Sequence, residues 1–257
     1  MKVIVARGFQ LLVFFPLYFI LKAYFGFEVR GRDNLKGITP RDGVIYAANH
    51  SGMFDGVITA VAIAMPWNGY RLGSFLPIRY LAFQDYFSWI QTSGPFPFPI
   101  SPFVAIWLRL SACIPVKRRR KEDIGKVYVE DVLSSATDAL NRGERVFIFP
   151  EGKMSKDGRL QKAKRGVTCL HKETGAPIVP IHISGTFKML SWKNLFSSER
   201  RVVINIGVPM KNMKIRPEHD LHDMAIGANI VMEKIRELSS QTEQVIVTKQ
   251  EEVLNEC

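Results

Sequence analysis

The sequence predicts an α/β domain with a mixed, largely buried sheet flanked by helices, preceded by a membrane-associating helical segment. Three observations lead there. After Gly31, short apolar runs alternate with segments whose apolar residues recur every three to four positions. The short runs are apolar throughout rather than at every second residue, as in strands covered on both faces. Ahead of them, Phe9 to Leu21 is apolar almost without interruption.

Residues 1–28 are read as the membrane-associating segment, 29–240 as the α/β domain and 241–257 as an acidic C-terminal tail. The first apolar run is short of the ~20 residues of a spanning helix, and Pro16 would bend it. No small-residue cleavage site follows. The favoured reading is a helix dipping into one leaflet, with Arg7 and Lys22 reaching headgroups. A single tilted span is the alternative.

Val44–Ala48 then reads as a strand. A helix follows from about Met53 to Ala64 and is broken by Pro66 and Asn68-Gly69. Cys113–Val116 is the next strand. Residues 126–141 carry Val129, Leu133, Ala136 and Leu140 at helical spacing and end at Gly143. Val146–Phe149 is a buried strand stopped by Pro150. Residues 163–174 read as a helix ended by Gly175. Ile178–Ile183 and Val202–Ile206 read as strands. A last helix begins near Pro217, with Leu221, Ala225, Ala228, Met232 and Ile235 on one face. Residues 70–107 break the alternation. Aromatic side chains from Phe75 to Trp107 crowd there with prolines at 95, 97, 99 and 102, which fits core and loop, an interfacial surface or the wall of an acyl pocket.

Composition narrows the function classes. The net charge of +11 accompanies 17 phenylalanines, so a basic and apolar chain fits an anionic membrane surface at least as well as nucleic acid. No nucleic-acid recognition motif is found, and no nucleic-acid partner is expected. The three cysteines, Cys113, Cys169 and Cys257, are far apart and form no CxxC, which fits a reducing compartment and the cytoplasmic face of a membrane. Lys117-Arg118-Arg119-Arg120-Lys121 is one basic run, and Lys153 to Lys172 is a second basic stretch. His171 and His182 have no partner pattern and read as structural or exposed. His219-Asp220-Leu221-His222-Asp223 fits the polar start of a helix, so no metal is expected.

The chemistry concentrates at Asn49-His50-Ser51-Gly52-Met53-Phe54-Asp55. On one continuous helix, side chains five residues apart point about 140° from each other. They meet if His50 ends the strand and Asp55 lies in the first turn of the next helix, which Ser51 or Asn49 would cap. Asp55 would then hold one imidazole nitrogen and leave the other free to take a proton. A second cluster follows the strand at Val146: Phe149-Pro150-Glu151-Gly152-Lys153, with Lys162, Lys164 and Arg165 beyond it. Carboxylate, glycine and lysine at a strand end suit an anion site.

Together these motifs resemble the glycerolipid acyltransferase family, closest to the 1-acylglycerol-3-phosphate acyltransferases. The family's NHx4D block matches Asn49, His50 and Asp55. Its second block is similar to Ile114-Pro115-Val116-Lys117-Arg118, with Pro102-Phe103 and Trp107 resembling its lead-in. FPEGTR matches Phe149, Pro150, Glu151 and Gly152. The last block resembles Ile178-Val179-Pro180-Ile181 before Ser184-Gly185. Two positions depart: Gly52 stands where the family often has Ser, and Lys153-Met154 replace its Thr-Arg.

The resemblance implies acyl transfer from acyl-CoA or acyl-ACP to the hydroxyl of a lysophospholipid, with no cofactor beyond that co-substrate. His50 would be the general base and Asp55 its orienting partner. Arg118, Glu151, Gly152 and Lys153 would bind the acceptor. Oxyanion donors are expected at the strand–helix junction. Another lipid acceptor (glycerol 3-phosphate, another lysophospholipid or a glycolipid) and a non-catalytic lipid-binding protein are the alternatives. A serine hydrolase would need a GxSxG turn, which the chain lacks. Membrane lipid and the acyl carrier are the implied partners, and oligomeric state stays open.

Overall fold

Local sequence builds a three-layer α/β/α sandwich. The computed structural model describes residues 2–39, 41–65, 75–89, 99–117, 129–189, 191, 201–213 and 220–255. The elements in chain order are α1 (Lys2–Phe25), β1 (Glu28–Arg30), β2 (Val44–Ala48), α2 (Asp55–Ala64), β3 (Ile78–Phe83), α3 (Ser101–Leu110), β4 (Ile114–Val116), α4 (Val129–Asn141), β5 (Arg145–Ile148), α5 (Gly166–Thr174), β6 (Ile178–Ser184), β7 (Val203–Ile206) and α6 (Asp220–Asn255).

The strands form one seven-stranded sheet in the order β1-β7-β6-β2-β5-β3-β4. β6, β2, β5, β3 and β4 run parallel, and β7 runs antiparallel to β6. β2 is central, and its side chains divide between two cores. Val44, Tyr46 and Ala48 join α1 and α2 on one face. Ile45 and Ala47 join α4, α5 and α6 on the other. Burial on both faces is why these strands read as continuous apolar runs.

Several boundaries differ from the sequence reading. α2 starts at Asp55, two residues later than expected, and neither Ser51 nor Asn49 caps it. β3 and α3 organise much of the aromatic segment, while residues 90–98 lie outside the described residues. β1 was not foreseen. It pairs with β7 over Glu28↔Val203 to Arg30↔Asn205, and Glu28 there is held at a pKa of about 2 chiefly by the Arg30 guanidinium. α6 runs on to Asn255, through the stretch read as a tail.

α1 continues through Pro16 and lays one stripe on the domain: Ala6, Gln10, Phe14, Leu21 and Phe25 are buried. Gln10 is polar yet fully buried because its carboxamide is fully engaged. Its Nε2 donates to Ile78 O (2.8 Å) and Ser111 O (3.1 Å), and its Oε1 accepts from Ile78 N (3.0 Å). Those bonds fasten α1 to the start of β3 and the end of α3.

Candidate active site

The carboxyl ends of β2, β5 and β6 lie side by side, where open α/β sheets bind ligands. Asn49 follows β2 and prolongs its ladder by side chain. Its Nδ2 donates to Ile183 O (2.9 Å) and its Oδ1 accepts from Ile183 N (2.7 Å), as a peptide unit would. β2 therefore stays locked to β6 up to the residue before His50.

His50 and Asp55 meet as the spacing predicts. His50 Nδ1 lies 3.1 Å from Asp55 Oδ2, across the strand–helix turn. The same oxygen accepts from Ser51 N and Gly52 N, each at 2.7 Å. Asp55 is fully buried, while the imidazole keeps an exposed edge. A carboxylate oxygen only accepts, so it places the proton on Nδ1 and leaves Nε2 with its lone pair. The expectation of oxyanion donors at this junction meets an obstacle, because the Ser51 and Gly52 amides are taken by Asp55.

Gly52 also explains a departure from the family motif. A Cβ there would lie 2.4 Å from Thr186 O and 2.9 Å from Thr186 Cβ. The hydroxyl lies one position earlier instead, where Ser51 Oγ pairs with Thr186 Oγ1 at 3.0 Å in a buried contact.

The loop after β5 grips His50 from the other side. Glu151 Oε1 accepts from His50 N (3.1 Å), and Ser155 N donates to His50 O (2.7 Å). Both main-chain groups of the histidine are thus held by one loop. Phe149 stacks on the imidazole, with centroids 3.8 Å apart and planes 9° from parallel. Glu151 is buried, and desolvation raises its pKa, opposed by its bonds to the His50 amide and Gln161. Gly152 turns the loop at φ +66°, and a Cβ there would meet the Lys164 side chain at 2.8 Å. Lys164 is exposed and lies over the motif, with its amide bonded to Pro150 O (2.7 Å).

The anticipated residues are distributed as follows. His50, Asp55, Glu151 and Gly152 come together. Lys153 is exposed on the same loop. Lys117 is exposed at the end of β4, three strand spacings from β2, or about 14 Å at the usual inter-strand distance. Arg118 lies outside the described residues. Phe149's contact with the imidazole went unread in the sequence, although Phe149 stood in the motif. Its signal was position, because the side chain after Ile148 on β5 must lie beside the end of β2. His171 is structural: Nδ1 pairs with Ala176 O (2.8 Å), and Nε2 accepts from Met213 N (3.3 Å).

Comparison with known proteins adds the family. Residues 97–184 match the Acyltransferase family model, from the lead-in to α3 through β6 and including the Phe149–Gly152 loop. That match spans about a third of the chain and marks these residues as similar to that family. His50 and Asp55 precede the matched segment and meet it in space, where Glu151 accepts from the His50 amide. Over 118 residues the chain is 32% identical to a chloroplastic 1-acyl-sn-glycerol-3-phosphate acyltransferase of Brassica napus, covering 46% of this chain and 32% of that protein. It is 34% identical to a chloroplastic protein of the same name from Arabidopsis thaliana, covering 46% and 31%. The chain thus spans about a third of the length of these curated relatives. The likeness in fold extends further. The crystal structure of the 1-acyl-sn-glycerophosphate acyltransferase PlsC from Thermotoga maritima superposes with a TM-score of 0.57 at 18% identity, covering 92% of this chain and 81% of that one.

Proposed function

We propose that this protein is a membrane-associated O-acyltransferase. It moves a fatty acyl group from acyl-CoA or acyl-ACP to the free hydroxyl of 1-acyl-sn-glycerol 3-phosphate, giving phosphatidic acid. The observation that carries this reading is the His50–Asp55 pair, clamped by the acyltransferase-family loop at the carboxyl edge of the sheet.

In this reading His50 Nε2 takes the acceptor's hydroxyl proton as its oxygen attacks the thioester carbonyl. Asp55 holds the ring and stabilises the imidazolium. The Phe149 face beneath the ring favours the cation further. Collapse of the tetrahedral intermediate forms the ester C–O bond and breaks C–S, and the imidazolium returns the proton to the departing thiolate. No acyl-enzyme is needed. Glu151 fixes the histidine backbone, and Gly152 lets Lys164 approach. Arg118 and Lys153 bind the acceptor phosphate through charge-assisted hydrogen bonds. No metal or cofactor enters. The apolar α1 and the net charge of +11 support association with anionic lipid on the cytoplasmic face.

One observation favours a different acceptor: Lys153-Met154 replace the motif's Thr-Arg, so a planar bidentate fork becomes a point charge. Product mass spectrometry with a panel of lysophospholipids, glycerol 3-phosphate and glycolipids decides between acceptors. The mechanism is tested by His50→Ala, which is expected to abolish transfer with an unchanged thermal midpoint. Transfer at the parent rate would refute His50 as the base, and no transfer by the parent with any acceptor would leave a lipid-binding role. Asp55→Asn is expected to lower kcat by roughly 10⁴-fold, the scale of losing the carboxylate that fixes a catalytic imidazole's tautomer.

A further inference from the structure

α3 is built inside out. Its small residues Ser101 and Ala105 are fully buried, while Phe103 is 73% exposed, Ile106 40% and Leu110 37%. At about 100° per residue the two sets lie on nearly opposite faces. A helix on a water-soluble surface does the reverse and turns its large apolar residues inward.

This outward face continues that of α1. Phe9 of α1 packs edge-on against Trp107 of α3, with centroids 5.2 Å apart, and Gln10 bonds the Ser111 carbonyl just after α3. The α1 stripe facing away from the domain includes Ile4, Leu12, Phe15 and Phe19, all exposed. The two helices therefore present one apolar surface in fixed relation. The charges on the two helices themselves have one sign. The segments Lys2–Phe25 and Ser101–Leu110 contain no Asp or Glu, and their charged residues are Lys2, Arg7, Lys22 and Arg109. An apolar surface formed by two helices that carry only cations suits an anionic bilayer. A second copy would bring like charges together.

We propose that α3 is a second membrane-contacting element, inserting Phe103, Ile106 and Leu110 into the same leaflet that receives the outward face of α1. This rests on the membrane association proposed above. α3 leads directly into β4 and Lys117, so its insertion holds the start of the basic run close to the lipid headgroups.

The test uses the full chain carrying Cys257→Ser, with an environment-sensitive fluorophore on Phe103→Cys, Leu12→Cys (α1) or Asn229→Cys. Asn229 is exposed on α6, across the sheet from α1. Cys113 and Cys169 are buried, and the unlabelled-site background protein controls for them. On vesicles of phosphatidylcholine and phosphatidylglycerol, spin-labelled acyl chains are expected to quench the probes at 103 and 12 but not at 229. Quenching at 12 without quenching at 103 overturns the α3 proposal and leaves membrane association standing. Quenching at neither position, with no protein pelleting with vesicles, removes both. A concentration-dependent blue shift at 103 without vesicles identifies a second copy as the cover and also overturns it. Phe103→Glu is expected to weaken vesicle partitioning roughly tenfold, on the scale of one buried aromatic side chain, at unchanged thermal midpoint. Unchanged partitioning contradicts the proposal.

Discussion

Asn49 and Gly52 shape the site without touching its chemistry. Asn49 supplies the last rung between β2 and β6, and Asn49→Ala leaves the buried Ile183 N–H and C=O unpaired. The expected cost is about 1–3 kcal/mol, read as a lower urea midpoint. Gly52→Ser restores the residue common in related motifs. Here its Cβ would press on Thr186 O at 2.4 Å, so it is expected to destabilise by roughly 1–3 kcal/mol through forced backbone movement. The sequence made His50 and Asp55 legible because both lie within one turn. It could not show what Asn49 does, because its partner is 134 residues away and only strand order brings them together. Nor could it place Glu151 on the His50 amide, a contact across 101 residues.

At the scale of elements, the decisive feature is the loop from Phe149 to Arg165. One segment stacks on the imidazole, accepts its amide and donates to its carbonyl. Gly152→Ala tests how tightly that loop is set. A side chain at φ +66° is strained by about 1 kcal/mol or more and also displaces Lys164. It is expected to raise the acceptor KM while Asp55→Asn lowers kcat, and steady-state kinetics on both variants separate the two. The buried strands and the helices around them were readable from periodicity because each belongs to a core on a fixed face. β3 and α3 were not. β3 lies in an aromatic, proline-rich stretch whose composition fits loop as well as strand. α3 carries its large residues on the wrong side for a soluble helix, so the usual period pointed away from its orientation.

At the scale of the molecule, stability should depend on pH through His182. Burial on β6 lowers its pKa to about 4, and its Nδ1 has no hydrogen-bond partner among the described residues. The folded state thus holds the ring neutral where the unfolded chain, near 6.5, takes up a proton. Its contribution is complete above pH 6.5 and is lost as pH falls toward 4. The shift corresponds to about 3 kcal/mol. Glu151 acts in the opposite sense, since its raised pKa means that ionisation at higher pH costs the folded state. The difference between parent and His182→Leu isolates the histidine: urea midpoints of the parent are expected to fall between pH 7 and pH 4.5 more steeply than those of the variant.

The double grip on His50 also orders events during synthesis. α1 leaves the ribosome before the histidine, whereas Glu151 and Ser155 follow it by about a hundred residues. On the proposed function, a growing chain can reach lipid through α1 long before its base is fastened in place. On the proposed function, activity waits until β5 and its loop have docked, when α1 has already met the lipid surface that supplies the acceptor.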